Sequence, residues 1–331
     1  MPSSTLPSNS RPGGVVWRLL TVALAGWLGC VAYTLYLDPE VRLWLGAARI
    51  KQAWAEKMAR EHKSKVLVYG GSSCAFSING QRILEEQGPP VVNMGPGAGF
   101  GARFLTRWAI SEARPDDTLI VALEPDLLGG DLADTTAAVH LSYALYQPGL
   151  LRDLDNSSTL SLASQLLMLR PDGNHIVTLV AKIAGGKPLF RYRTEDINPS
   201  GWMQTAVRSP ADSPGPAAAL SAPGCRLLKD LAAWCRQRNV RLAYSIPWEF
   251  AKPGDQVSFQ KQNAAFLSQV AELMPVLKDP ALGVCTNRGY YADTGWHLTP
   301  AASNLRSDSL GRQIREWNTW SRAELQALAA R

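Results

Sequence analysis

Apolar and polar positions follow two different rhythms along this chain. Between Leu19 and Leu37, nineteen consecutive residues carry no charge. At about 1.5 Å per helical residue such a run nearly crosses a hydrocarbon layer of about 30 Å. Residues 15–37 therefore read as a transmembrane anchor behind a polar tail, 1–14. Residues 41–63 (VRLWLGAARIKQAWAEKMAREHK) put apolar residues on a helical period with charges between them. This predicts a juxtamembrane helix over 38–64 that props the next domain off the bilayer. From Lys65 onward, uninterrupted apolar runs (KVLVYGG, VVNM, TLIVALEP, VRLAYSIPW) alternate with amphipathic segments such as RFLTRWAISEA and CRLLKDLAAWCRQRN. Strands with no polar face, separated by helices, predict a parallel sheet covered on both sides. An α/β domain is thus expected over 65–318, followed by a helical tail, 319–331.

Within that domain the alternation loosens between about 126 and 224, where helical pieces such as TLSLASQLLML lead to a Pro-rich tract, RSPADSPGPAAALSAPG. This reads as an insertion able to form a lid. Arg11 and Arg18 lie on the short side of the anchor, which favours a cytoplasmic N-terminus and a domain outside the inner membrane. No A-x-A-like cleavage pattern follows the apolar run, and Trp27 precedes the Leu-Gly-Cys at 28–30, so the anchor reads as uncleaved. The net charge of +6 is spread along the sequence, which suits an anionic membrane or polymer and argues against nucleic acid. Five cysteines and four histidines form neither a zinc-ligand spacing nor a disulfide framework, so no metal and no cofactor are expected.

Few residues are left to carry chemistry. Ser72 follows Gly70-Gly71 at the end of the first apolar run, where a parallel strand must bend and a ligand can approach its carboxyl edge. Such a serine can be a plain turn, or Ser73 can take its place, and Cys74 reads as a small buried hydrophobe. His297 follows Asp293 in ADTGWHLTP and supplies a base with an acid beside it. Taken alone, that pair could equally be a packed histidine and a helix cap. Trp202, Trp248 and Trp296 offer flat faces for sugar rings, whereas His140 and His175 read as surface residues. A rival reading comes from Gly97-Ala98-Gly99-Phe100-Gly101-Ala102, a G-x-G-x-x-A bend with Glu124 ending the next strand, which would suit a dinucleotide in an oxidoreductase.

The serine after two glycines, the N-x-G-rich turn after the second strand and the terminal D-x-x-x-H before L-T-P and a helix together resemble the SGNH (GDSL-like) hydrolase superfamily. Within it, the chain is most similar to membrane-anchored proteins of bacterial envelope polymer modification. The resemblance spans about 65–125 and 225–315. It implies a flavodoxin-like three-layer α/β/α SGNH fold with Ser72 as nucleophile, His297 as base and Asp293 as its orienting partner. The backbone N–H groups of Ser72 and of Gly97 or Gly99 would face the oxyanion. The implied function is a serine esterase or O-acetyltransferase acting on an envelope or exported polysaccharide, with a membrane O-acyltransferase or export machinery as possible partners. Two departures stand out: the family usually spaces its acid and base as D-x-x-H, and ALEPDLL replaces the G-x-N-D block whose Asn completes the oxyanion hole. The alternative is a catalytically silent scaffold that keeps the fold.

Overall fold

The computed structural model describes residues 12–130, 132–152, 159–205, 213–215 and 219–329. Most of the polar tail, much of the Pro-rich tract and the last two residues lie outside the described residues. Helices α1 (Pro12–Tyr36) and α2 (Pro39–Glu61) lead into strand β1 (Val66–Tyr69), helices α3 (Ser72–Ser77) and α4 (Gly80–Glu85), strand β2 (Val91–Asn93), helix α5 (Ala102–Glu112) and strand β3 (Thr118–Val121). The insertion contributes α6 (Pro125–Gly129), α7 (Thr136–Ala144), α8 (Thr159–Leu167) and α9 (Gly173–Ala184). Then come α10 (Ala222–Gln237), β4 (Arg241–Tyr244), β5 (Glu249–Phe250), α11 (Gln256–Ala271), β6 (Val284–Cys285) and α12 (Pro300–Ala329).

Four strands form one parallel sheet in the order β2-β1-β3-β4, with Val66 opposite both Val91 and Thr118 and Thr118 opposite Arg241. Alternate residues of these strands enter two different cores, as the two-residue period of a strand requires. Leu67, Tyr69, Leu119, Val121 and Leu242 meet α2, α5 and α10 through Trp54, Met58, Phe104, Trp108 and Leu228. Val66, Val68, Ile120 and Ala243 meet α4 and α12 through Ile83, Leu310 and Ile314. Both faces being covered explains why these strands read as continuous apolar runs. At the other end, Lys65 and Asp117 form a buried ion pair where β1 and β3 begin.

The structure changes the role expected of two segments. Helix α2 lies where its pattern puts it, capped by Asp38, but it is a layer of the domain and not a spacer above the bilayer. Its stripe of Leu43, Trp44, Ala47, Ala48, Trp54, Ala55 and Met58 is broad enough to close that face of the sheet. Within the insertion, residues 190–203 are built into the wall beside α3: Met203 N donates to Ala75 O at 2.9 Å, and Asn93 N donates to Ser200 O at 3.0 Å. Helix α1 is, among the described residues, the one helix long and apolar enough to cross a membrane, over Gly14–Tyr36, and its most apolar window has no buried residue.

Candidate active site

Chain reversal at the carboxyl ends of β1, β2 and β3 builds the site. Gly70 is required by space, since a Cβ there would lie 2.1 Å from Ala122 O on the neighbouring strand. Gly95 is required likewise, because its Cβ would fall 2.7 Å from Ala75 N and 2.9 Å from Gly71 O. This close packing brings the end of β2 onto the bend at Ser72. Asn93, fully buried, staples the two together: its Nδ2 donates to Cys74 O at 2.8 Å and Ile78 O at 2.7 Å, and its Oδ1 accepts from Gly95 N at 2.9 Å. Ser72 is the first residue of α3 and is partly exposed, while Ser73 and Cys74 are buried. Burial pushes the Cys74 thiol up to about 12, and nearby Lys51 only partly offsets this, so Cys74 stays a neutral thiol.

Asp293 and His297 sit on a short hairpin closed by Ala292 N donating to His297 O at 2.8 Å and Thr299 N donating to Tyr290 O at 2.8 Å. The extra residue of D-x-x-x-H is taken up in this turn, and His297 Nδ1 still lies 2.8 Å from Asp293 Oδ1. Burial alone would raise the Asp293 carboxyl, but hydrogen bonds from His297 and Tyr192 and the charge of Arg191 outweigh it and hold it down at about 2. An ionised carboxylate only accepts, so Nδ1 carries the ring proton and Nε2 is the basic nitrogen. The imidazole stacks on Phe76, with centroids 4.1 Å apart and planes 28° apart. Phe76 lies four residues beyond Ser72 on α3, so the two side chains occupy one face of the helix. The three side chains thus fall into an Asp293–His297 pair and Ser72, which stands one helical turn from the Phe76 ring that carries the imidazole; among the described residues no hydrogen bond joins Ser72 to His297.

Helix α12 follows the hairpin and braces α3 directly. Ser303 Oγ donates to Phe76 O at 2.6 Å, and Ser307 Oγ accepts from Asn79 N at 2.8 Å. The helix that begins with Ser72 and the hairpin that carries His297 therefore share one support.

Three further residues complete the site, and two of them do not stand out in the sequence. Tyr192 OH donates to Asp293 Oδ2 at 2.7 Å across 101 residues, and Arg191 Nη1 lies 3.2 Å from the same oxygen. Both come from the loosely patterned insertion, where RYR carries no periodic signal. Glu124, buried at the end of β3, accepts from Gly71 N at 3.0 Å and Ser73 N at 2.9 Å. Its carboxylate thus accepts from the backbone N–H groups on both sides of Ser72 in sequence. Both oxygens of Glu124, the acid that the dinucleotide reading assigns to a ribose, are committed to the bend at Ser72. The backbone that meets this bend is that of Gly95 and Ala98; Gly97 packs toward Trp44, and a Cβ on Gly99 would meet open space. Trp202 is buried, with its Nε1 donating to Phe76 O at 3.0 Å, so it supports α3 and offers no face to a sugar. Trp248 and Trp296 are partly exposed. His140 contacts Met168 O and His175 approaches Asp38, both away from this cluster. No protein-family model, curated protein or solved structure matches the chain.

Proposed function

We propose that the chain is a membrane-anchored serine esterase or O-acyltransferase of the SGNH type, acting on an envelope or exported polysaccharide from the outer side of a bacterial inner membrane. The order β2-β1-β3-β4 supports a flavodoxin-like three-layer fold, whose ligands bind where the strand order reverses, between β1 and β3. Ser72 and Glu124 stand at those two strand ends. The observation that carries the reading is the Asp293–His297 pair stacked on the helix that begins with Ser72.

In this mechanism the Ser72 Oγ–H gives its proton to His297 Nε2 while Oγ attacks the ester carbonyl. The Ser72 N–H would face the oxyanion, with a second donor from the Gly97–Gly99 bend. Collapse breaks the ester C–O bond, and the imidazolium protonates the departing alkoxide. Water or a sugar hydroxyl then attacks the acyl-serine, giving its proton to His297, which returns it to Ser72 Oγ. Asp293 holds the ring with Nε2 directed away from the pair, and Tyr192 and Arg191 keep that acid ionised.

The test uses the full chain in detergent and a chromogenic acetyl ester. Ser72→Ala is expected to lower turnover by about 10³-fold or more and to abolish labelling by a serine-directed phosphonate. The buried carboxylate of Glu124 favours a second reading, a silent scaffold that binds polymer or a membrane O-acyltransferase, because negative charge beside Ser72 opposes a developing oxyanion. Equal turnover in both proteins with no phosphonate adduct on Ser72 would select the scaffold.

A further inference from the structure

The anchor and the insertion meet at one level of the molecule. Asp38, two residues past the end of α1, caps α2 through Oδ1, and its Oδ2 lies 2.9 Å from His175 Nε2 on the first turn of α9. Tyr36, the last residue of α1, meets Tyr146 hydroxyl to hydroxyl at 3.3 Å, and both rings are exposed. Val31 and Leu35, in the last turns of α1, pack against the domain core. The domain therefore begins where the apolar span ends. Helix α9 turns one side to the body: His175, Leu179 and Lys182 are half-buried and face the start of α2. The other side is an apolar stripe at helical spacing, with Val177 67%, Val180 59% and Ile183 62% exposed and Ile176 beside them. Leu167 and Met168, exposed as well, lead into this helix. Exposed Arg170 and Lys187 flank it, one at each end.

A solvated helix buries such a stripe, whereas a helix lying in a bilayer surface leaves it outward with cations at the rim. Tyrosines at the headgroup level and basic residues facing anionic lipid phosphates belong to the same arrangement. We infer that α9 is a second membrane contact, lying in the interface of the bilayer that α1 spans, with its stripe toward the acyl chains and Arg170 and Lys187 on anionic lipid phosphates. This rests on the membrane-anchor reading of α1. The contact also reaches the candidate active site, because the chain leaving α9 runs through Phe190, packed on Trp44, to Tyr192 on Asp293.

The experiment uses the full chain in nanodiscs of phosphatidylethanolamine and phosphatidylglycerol carrying nitroxide lipids. A genetically encoded fluorescent residue is placed at Leu24 in α1, at Val180, or at exposed Lys261 on α11. Shallow nitroxides are expected to quench the Val180 probe about 2-fold or more beyond the Lys261 probe, and mid-chain nitroxides to quench the Leu24 probe. Quenching at Leu24 with Val180 equal to Lys261 overturns the inference and leaves the anchor standing; it is also the outcome if a protein partner covers α9. No quenching at Leu24 removes the anchor, and the inference falls with it. With the probe moved to Ile183, Val177→Asp with Val180→Asp should abolish shallow quenching at unchanged thermal midpoint in detergent, since both positions are exposed. Quenching that survives this pair, or that is the same when phosphatidylcholine replaces phosphatidylglycerol, refutes the assigned contacts.

Discussion

Replacing Asp293 by Asn tests the electrostatic heart of the site. The carboxyl is held from its ordinary 3.8 down to about 2, by the hydrogen bonds from His297 and Tyr192 and the charge of Arg191 acting against burial. Its side chain is completely shielded from solvent. At 1.36 kcal/mol for each pH unit, this corresponds to about 2.5 kcal/mol of folding stability at neutral pH. The folded-state value is depressed, so the contribution is fully present above pH 3.8 and is lost as pH falls toward 2. By pH 3 it has dropped to roughly half. Asp293→Asn should therefore lower the thermal midpoint of the full chain in detergent at pH 7 by roughly 5 °C or more, with a visibly smaller gap at pH 3. Turnover of the acetyl ester should fall by about 10³- to 10⁴-fold, because an amide can present N–H to Nδ1 and turn the ring to the wrong tautomer. A midpoint gap of the same size at pH 7 and pH 3 would refute the assignment of this stability to an ionised Asp293.

Glu124→Gln removes negative charge beside Ser72 and should raise turnover by about 10-fold, measured as kcat on the same ester; unchanged or lower kcat with an intact fold would mean that Glu124 does not oppose the oxyanion. Glu249 is buried with one oxygen bonded to Asn263 and the other unpartnered, and burial, against that bond, pushes its carboxyl up to about 7. The raised value costs stability as pH rises from 4.5 through 7, so Glu249→Gln should gain up to about 3 kcal/mol at pH 8 and almost nothing at pH 4, read from thermal midpoints at the two pH values. Gly95→Ala forces a methyl against Ala75 N and Gly71 O and should both destabilise the fold, by about 1–3 kcal/mol, and slow phosphonate labelling of Ser72; normal labelling would show that the bend tolerates displacement.

Much of the sheet was readable because its strands are buried on both faces and carry no polar interruption, as in Val66–Tyr69 and Thr118–Val121. Ser72, Asp293 and His297 could be singled out because glycines mark the bend and the acid and base lie close in sequence. Tyr192 and Arg191 could not, since their bond to Asp293 spans about a third of the chain and nothing local shapes it. Glu124 was visible as the end of a strand, yet its use as a clamp on Gly71 N and Ser73 N depends on β3 lying beside β1, which only the sheet order settles. The amphipathic pattern of α2 gave the helix but not its packing partner, because a wide apolar stripe suits a core and a membrane surface alike.

The bracing of α3 by α12 ties the Ser72 bend to the integrity of the first turns of α12. Ser303 and Ser307 grip the helix that begins with Ser72, through Phe76 O and Ser77 O, from the element that directly follows His297. Fraying of those first turns would release the Ser72 bend and the His297 hairpin at once, so amide protons near Ile78 and Ala292 should lose protection from exchange together, at one denaturant concentration.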